Sequence, residues 1–416
     1  MTRLRGIYSL AVFAAALFLL SSRAAAQAAG AEDQIITFDA PSAGNGPVFV
    51  TSQGFPLAQG TFPYGINDRG EIGGNFQDAN NVLHGFLRAA DGTVTAFDAP
   101  GAGTSGGQGT QGFAINSKGT IVGKTIDAGY AQHGMLRTRD GTIIVFDAPG
   151  AGTGGGQGTL ATNINSEGVI AGSYLETNNV FHAFLRTPDG EITTIDAPGA
   201  GTGAFQGTGV CAVDCINSEG AIVGLYVDAN NVPHGFLRTS DGNFTTIDAP
   251  SAGTGAFQGT AADGINAEGA IVGGYTDASN TNHAFLRSPD GEFATFDVPG
   301  AGPGFTQGPL VSGFAGINTR GAITGGYVDA SNVSHGFVRT RNGEITTFDV
   351  PGAGAGPPFV TPQGIPLLQG TAPLGMNGEE AITGYYIDAN IVGHGFLRST
   401  PQRRAQRKEL RKGLSL

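Results

Sequence analysis

Short apolar segments alternate with short polar ones along nearly the whole chain, and their order recurs seven times. Each copy begins with a segment ending in an apolar residue and Asn (Gly65, Ile66, Asn67 in the first), followed by a turn of the type DRG, SKG or SEG. An apolar run such as GAIVGLY comes next, then a polar turn of the type DANNV, then HGFLR or a close variant. A pair of Asp or Asn with Gly follows (Asp91 with Gly92, Asn342 with Gly343), and a segment of the type ITTFDAP closes the copy. Apolar runs this short, bounded by turn residues, predict four strands in one antiparallel sheet per copy. The Asp-Gly pair predicts a two-residue hairpin with positive φ at both central residues, and the proline of the closing tetrad, Phe or Ile, Asp, Ala or Val, Pro, marks where pairing stops.

The spacing between landmarks is rigid in one part of the copy and loose in another. From the Asn to the acid of the DANN turn is 11 residues in all seven copies, from that acid to the His is 6, and from His to Arg is 4. The distance from the tetrad's Asp to the next Asn varies instead: 28, 18, 18, 21, 18, 21 and 28 residues. Fixed hairpins joined by one variable connection predict a packed sheet that presents loops on one face.

Six arginines are followed ten residues later by a tetrad aspartate, at Asp98, Asp147, Asp196, Asp248, Asp297 and Asp349. Arg398 has no such partner downstream; the missing tetrad is Phe38, Asp39, Ala40 and Pro41, ahead of the first copy. A single four-stranded sheet has two apolar faces and must stack on copies of itself. The displaced tetrad predicts that the stack closes: Ile35 to Ala40 would supply the outermost strand of the last sheet, beside His394, and remove the exposed edges. The expected fold is all-β, a seven-bladed β propeller of four-stranded antiparallel blades spanning residues 33–400 and closed by the N-terminal strand.

The two ends differ from the rest. Residues 1–26 carry Arg3 and Arg5, an apolar run from Ile7 to Leu20, and Ala24, Ala25 and Ala26 before Gln27, which reads as a secretory signal peptide. That run is shorter than the roughly 20 residues of a membrane-spanning helix, so the expectation is a secreted or periplasmic protein with no membrane span after signal removal. Residues 401–416 hold six basic residues against Glu409 and read as a solvated, disordered tail. The 71 Gly and 21 Pro suit an all-β chain. The net charge of −12 leaves the repeat region near −20 once both basic ends are set aside, which argues against nucleic acid as a partner.

With these residues in view, the segments HAFLR (His182 to Arg186, His283 to Arg287), the INSEG type turn and the apolar G.IVG.Y strand resemble the HAF family of extracellular repeats. The resemblance implies export and a repeat fold, and no catalytic residues. Two motifs invite other readings. Gly101, Gly103 and Gly106, like Gly150, Gly152 and Gly155, match a dinucleotide-binding glycine pattern, but no helix pattern follows to place a dipole under a pyrophosphate. Gly103, Ser105 and Gly107 match a hydrolase elbow, but the next copy has Gly154 in place of Ser105.

All seven histidines of the chain (His84, His133, His182, His234, His283, His335, His394) and their paired arginines (Arg88, Arg137, Arg186, Arg238, Arg287, Arg339, Arg398) occupy one position each per copy. Spread around a ring they cannot converge on one metal, so they are expected to be structural groups packing blades, and no metal site or cofactor is expected. The DANN-turn acids are expected to lock turns, with calcium as the cofactor they leave open. Cys211 and Cys215 sit in a three-residue insertion. In a straight strand they would lie roughly 13 Å apart at about 3.3 Å per residue, so a disulfide requires the insertion to fold back tightly.

The first and last connections share a ten-residue insertion, GPVFVTSQGFPLAQGT and GPPFVTPQGIPLLQGT. Closure would make them neighbours on the face that carries the DANN turns. Phe49, Gln53, Phe55, Phe359 and Gln363 in them are candidate ligand-binding residues, aromatics with adjacent amides suiting a sugar or peptide; the competing reading is a brace across the seam. The expected function is a secreted, monomeric, non-enzymatic binding or scaffold module for a glycan or an extracellular protein. The alternative is a propeller-type lyase or hydrolase acting on polysaccharide. The unshared polar residues Lys124, Asp214, Glu379 and Glu380 are scattered along the chain and define no catalytic cluster.

Overall fold

The computed structural model describes residues 33–51, 54–211, 214–304, 307–309 and 315–399; residues 1–26, expected above to be a signal peptide, the basic residues 401–416 and Gln53 lie outside them. Among the described residues every regular element is a strand, and no helix is long and apolar enough to cross a membrane. Two compact units are present, a large one from Thr37 to Leu397 and a small one whose described part is Asp33–Ile36 with Arg398 and Ser399. In the small unit Arg398 is ion-paired with Asp33.

Within the large unit the four strands per copy are as the apolar pattern expects. In the first blade they are Gly60–Ile66 (inner), Ile72–Gln77, Leu83–Arg88 and Val94–Phe97 (outer), each antiparallel to the next. The other blades repeat the plan. In the seventh, the strands Gly370–Met376, Ile382–Ile387 and Gly393–Ser399 come from the C-terminal end. The fourth place falls to the N-terminal tetrad, where Phe38 lies against Gly395 and Asp39 bonds His394. The unit is a seven-bladed propeller, closed as the displaced tetrad requires.

Closure is visible in one continuous circuit. The Asn at the end of each inner strand is buried, and its Nδ2 donates to the backbone carbonyl of the corresponding Asn in the next blade: Asn67 to Asn116, Asn116 to Asn165, and on through Asn217, Asn266, Asn318 and Asn377 back to Asn67, at 3.0–3.4 Å. A second lock joins neighbouring blades further out. The hydroxyl at the second position of the inner strand (Thr61, Thr110, Thr159, Thr208, Thr260, Thr371) accepts the backbone N–H of the preceding tetrad's Ala or Val at 2.9–3.0 Å. Removing the partner while these groups stay buried in the ring would cost about 1–3 kcal/mol per group.

All three turns of a copy share one design, and it departs from the hairpin expected above. In the Asp91–Gly92 hairpin, Gly92 N donates to Ala89 O and Ala89 N to Thr93 O. Only Gly92, at φ +99°, is left-handed, and it stands after the turn rather than inside it. The connection is a type I turn followed by a bulge residue, not a two-residue turn with two positive φ values. The DANN turn works likewise with Asn81 at φ +64°.

Blade packing explains the glycines of the second strand. Phe86 is fully buried, and a Cβ on Gly74 would come within 2.7 Å of its ring. Phe184, Phe236, Phe285, Phe337 and Phe396 repeat the arrangement, with Met135 in the second blade. The inner strand also carries a bulge, at Tyr64, Phe113, Thr162, Asp263 and Leu374 in the blades where its register is continuous, and none of these was foreseen from the sequence.

Candidate functional site

Each histidine sits between two carboxylates of its own blade. His84 Nδ1 is 2.8 Å from Asp98 and its Nε2 3.7 Å from the turn acid Asp78. The other six repeat this at 2.7–3.0 Å and 3.3–3.9 Å, the seventh using Asp39 from the far end of the chain. In six blades an aromatic ring stacks on the imidazole, Tyr386 on His394 at 4.9 Å for example. The Asp39 hydrogen bond and charge raise the pKa of His394 above the usual histidine value against an opposing desolvation.

The tetrad aspartate therefore partners histidine, and the arginine packs elsewhere. Arg88, Arg137, Arg186 and Arg339 lie 4.7–5.1 Å over the tetrad phenylalanine of the preceding blade, a cation–π contact between blades. The turn acids are committed locally: Asp78 Oδ1 accepts from Asn80 N and Val82 N at 2.8 Å, and five other copies do the same. Glu176 is the exception, where Asn178 takes over the bond to Val180 N. Among the described residues no group of three His, Cys, Asp or Glu side chains is placed to hold a metal.

Cys211 and Cys215 are disulfide-bonded with a Cα separation of 5.5 Å, so the insertion folds back as the bond demands. Asn163 of the neighbouring blade holds the loop through bonds to Cys211 O and Cys215 N. The loop carries Asp214 to the ring axis, where it lines a cavity of about 70 Å³ with Tyr64, Phe113 and Asn163. Its Oδ2 has no hydrogen-bond partner, and desolvation pushes the carboxyl up to about 7. A carboxyl raised in the fold is protonated there while the unfolded chain has ionised it, so stability falls as pH climbs from about 4 towards 7. His394 works in the same direction, its stabilisation being present below the ordinary histidine value and lost as pH rises through the raised one. We expect the melting temperature to fall between pH 5 and pH 8, with a distinctly shallower slope in Asp214→Asn; equal slopes in both proteins would show that Asp214 is not the source.

The variable connections and the DANN turns share a face. Gln59 Nε2 donates to Asn81 Oδ1 and Ala79 O within the first blade, and Gly107 N of the next connection donates to Asn81 O. The two insertions are short hairpins, Phe49–Val50 with Pro56–Leu57 and Phe359–Val360 with Pro366–Leu367. They are neighbours, since Gly54 lies against the Gln363 side chain. Phe49 is half-buried against Gly106 and Gly107 of the following connection, whereas Phe55 is 57 % exposed. Phe359 is half-buried and Gln363 exposed.

Three clefts recur on this face at equivalent places. One of about 140 Å³ lies between Gly326 and Ser334 of the sixth blade and Ala372 and Tyr385 of the seventh. Another of about 180 Å³ lies between Leu225 and Pro233 of the fourth and Ala261 and Gly274 of the fifth. The third, of about 290 Å³, runs from Leu83 to Gln111 and Lys124. Each is walled by the residue before a histidine in one blade, and by the fourth residue of the second strand with its cross-strand neighbour in the next. These positions carry a signal in the sequence that spacing alone does not bring out. The residue before histidine is Leu83, Gln132, Phe181, Pro233, Asn282, Ser334 and Gly393, different in all seven copies.

Two exposed aromatics were also missed. Phe205 and Phe257 are 65 % and 73 % exposed. Both are held at φ +64°, where the sibling connections use Gly107 and Gly156. A bulky residue in that region is strained, and Phe257 borders the cleft between the fourth and fifth blades.

No family model matches the chain, and no curated protein does. Among solved structures it is similar to the BP39L lectin from Burkholderia pseudomallei, with a TM-score of 0.50 at 10% identity, covering 80% of this chain and 93% of that one. It is also similar to puromycin hydrolase, with a TM-score of 0.44 at 11% identity over 85% of this chain and 57% of that one. Trypanosoma rangeli sialidase gives 0.39 at 11% identity over 92% and 61%. At these identities the likeness concerns the fold alone, a β propeller.

Proposed function

We propose that this protein is a secreted, non-enzymatic binding module that holds glycan on its insertion-bearing face, in the clefts between neighbouring blades. The observation that carries this reading is where the seven copies differ. Residues that pair, stack or cap are nearly constant around the ring, while the residue before histidine and the fourth residue of the second strand change from blade to blade and wall the clefts. Strained, exposed Phe205 and Phe257 and exposed Phe55 stand on the same face, where rigid aromatic surface suits the apolar side of a sugar ring. The insertions then have two roles: Phe49 braces the next connection and Phe55 faces outward. The leader-like N-terminus, the disulfide and the HAF-like repeats support export.

A glycan array probed with the wild type and with Phe257→Ala and Phe55→Ala tests the reading. Binding is expected in the wild type, with at least a tenfold loss for one or more ligands in a variant whose melting temperature is unchanged. An array on which no glycan binds refutes it. Release of new reducing ends from a polysaccharide panel would replace the binding module by an enzyme.

A further inference from the structure

The second blade departs from the repeat at several positions, and the departures meet in one pocket. Lys124 stands at the fourth place of the strand Ile121–Ile126, where the other blades have Asn75, Ser173, Leu225, Gly274, Gly326 and Tyr385. Tyr130 occupies the left-handed turn position that is Asn in five other copies, at φ +64°. Gln111 lies across the sheet from Lys124, and Gln132 precedes the histidine. These four line the 290 Å³ cleft together with Phe55 and Leu57 of the first insertion. Its volume is close to the lower end of the roughly 300–1,000 Å³ usual for small-molecule sites, room for one sugar ring.

The charge inside this cleft has no counter-charge. Lys124 Nζ donates to the neutral Gln132 Oε1 at 3.0 Å, and among the described residues no carboxylate pairs with it. Desolvation lowers its pKa to about 8, so the flanking walls shield the ammonium from water without replacing the hydration by an anion. In a chain whose net charge is −12, an uncompensated cation at the bottom of a cleft lined by aromatic rings and amides is a local exception. Tyr130 is fixed by its hydroxyl, which donates to Gly106 O at 3.2 Å. Gln132 is likewise anchored through Nε2 to Gly156 O at 3.0 Å. The polar groups are pre-organised rather than free to collapse on the lysine.

We propose that this cleft is the specificity site of the module for an acidic sugar, a hexuronate residue whose carboxylate meets Lys124 Nζ while Phe55 and Tyr130 flank the ring and Gln111 reaches a hydroxyl. The inference rests on the glycan-binding reading above and narrows its substrate class. The carboxylate supplies the missing counter-charge, and a charge-assisted bond in a partly desolvated cleft is roughly twice as strong as a neutral one.

Titration calorimetry of the full mature protein with tetragalacturonate, and with cellotetraose as the neutral probe, decides the matter. Wild type is expected to bind tetragalacturonate at least tenfold tighter than cellotetraose. Lys124→Met is expected to lose that preference, and Lys124→Arg to keep most of it, with melting temperatures unchanged. If Lys124→Met binds tetragalacturonate as tightly as wild type, or wild type shows no preference for it, the acidic-sugar assignment is overturned while neutral glycan binding at the other clefts stands. If neither tetrasaccharide nor any arrayed glycan binds, the assignment and the broader reading fall together.

Discussion

A chain lacking Asp33–Pro41 is expected to melt about 10 °C below the same chain with these residues in place. The loss is built from contacts of the N-terminal tetrad within the large unit. Phe38 packs edge-on against Phe86 and lies under Arg88. Asp39 holds His394. Ala40 is 3 % exposed and its N–H goes to Thr61 Oγ1. Burying one phenylalanine is worth about 2–3 kcal/mol, the buried Ala40–Thr61 bond adds about 1–2 kcal/mol, and the solvent-screened His394–Asp39 pair adds about 0.5 kcal/mol, a total of about 5 kcal/mol. At about 2 °C per kcal/mol for a chain of this size that is about 10 °C. Deletion also exposes the edge of the strand Gly393–Ser399, so aggregation on heating should increase. Scanning calorimetry with light scattering checks both, and a truncated protein that melts like the intact one would mean the ring is not held shut here.

Asn116→Asp should cost about 3 kcal/mol at pH 7 and much less at pH 4. Asn116 Oδ1 accepts from Lys118 N and Thr120 N at 3.0 Å, bonds that a carboxylate keeps. Its Nδ2 donates to Asn165 O at 3.1 Å, and the substitution sets a second oxygen there, facing a carbonyl across a buried contact. Two acceptors without a proton between them leave a buried charge and a buried carbonyl unsatisfied, an error of about 3 kcal/mol or more. Protonation restores a donor. The introduced carboxyl is therefore raised in the fold, and its destabilisation grows as pH rises above the ordinary aspartate value. Chemical denaturation at the two pH values measures this; an equal loss at both would mean that the side-chain amide contributes nothing beyond its turn bonds.

Much of the architecture was legible because it follows from spacing. Rigid intervals between Asn67, Asp78, His84 and Arg88 describe hairpins whose registers cannot slip, and the tetrad at Phe38 is meaningful only if the ends of the chain meet. The turn type was less legible, because Asp-Gly serves equally inside a two-residue turn and in a type I turn followed by a left-handed glycine, and only Gly92 at φ +99° decides between them. Nothing in the sequence separates an asparagine that caps its own turn from one that also reaches the next blade, yet Asn67 does both. At the candidate site, attention to the two inserted segments favoured Phe49, which is packed, and passed over Phe205 and Phe257, which lie exposed in ordinary-length connections. Lys124 looked isolated because Phe55 and Leu57 are brought to it by the first insertion and Leu83 by the preceding blade, none of them local in sequence, while Tyr130 passed for an ordinary turn residue.

The seven histidine-carboxylate pairs are nearly identical in geometry but not in the chain they must close. His84 and Asp98 are separated by 14 residues, His394 and Asp39 by 355. Loop-closure entropy rises by about 0.6 kcal/mol for each doubling of separation, so the last pair forms at a disadvantage of about 3 kcal/mol relative to its siblings. The tetrad strand is made 355 residues ahead of the histidine it pairs with, so it waits while the other blades form. The seventh blade is accordingly expected to assemble last and open first, so amide exchange should be faster in the strand Gly393–Ser399 than in the third strands of blades whose four strands are contiguous in sequence.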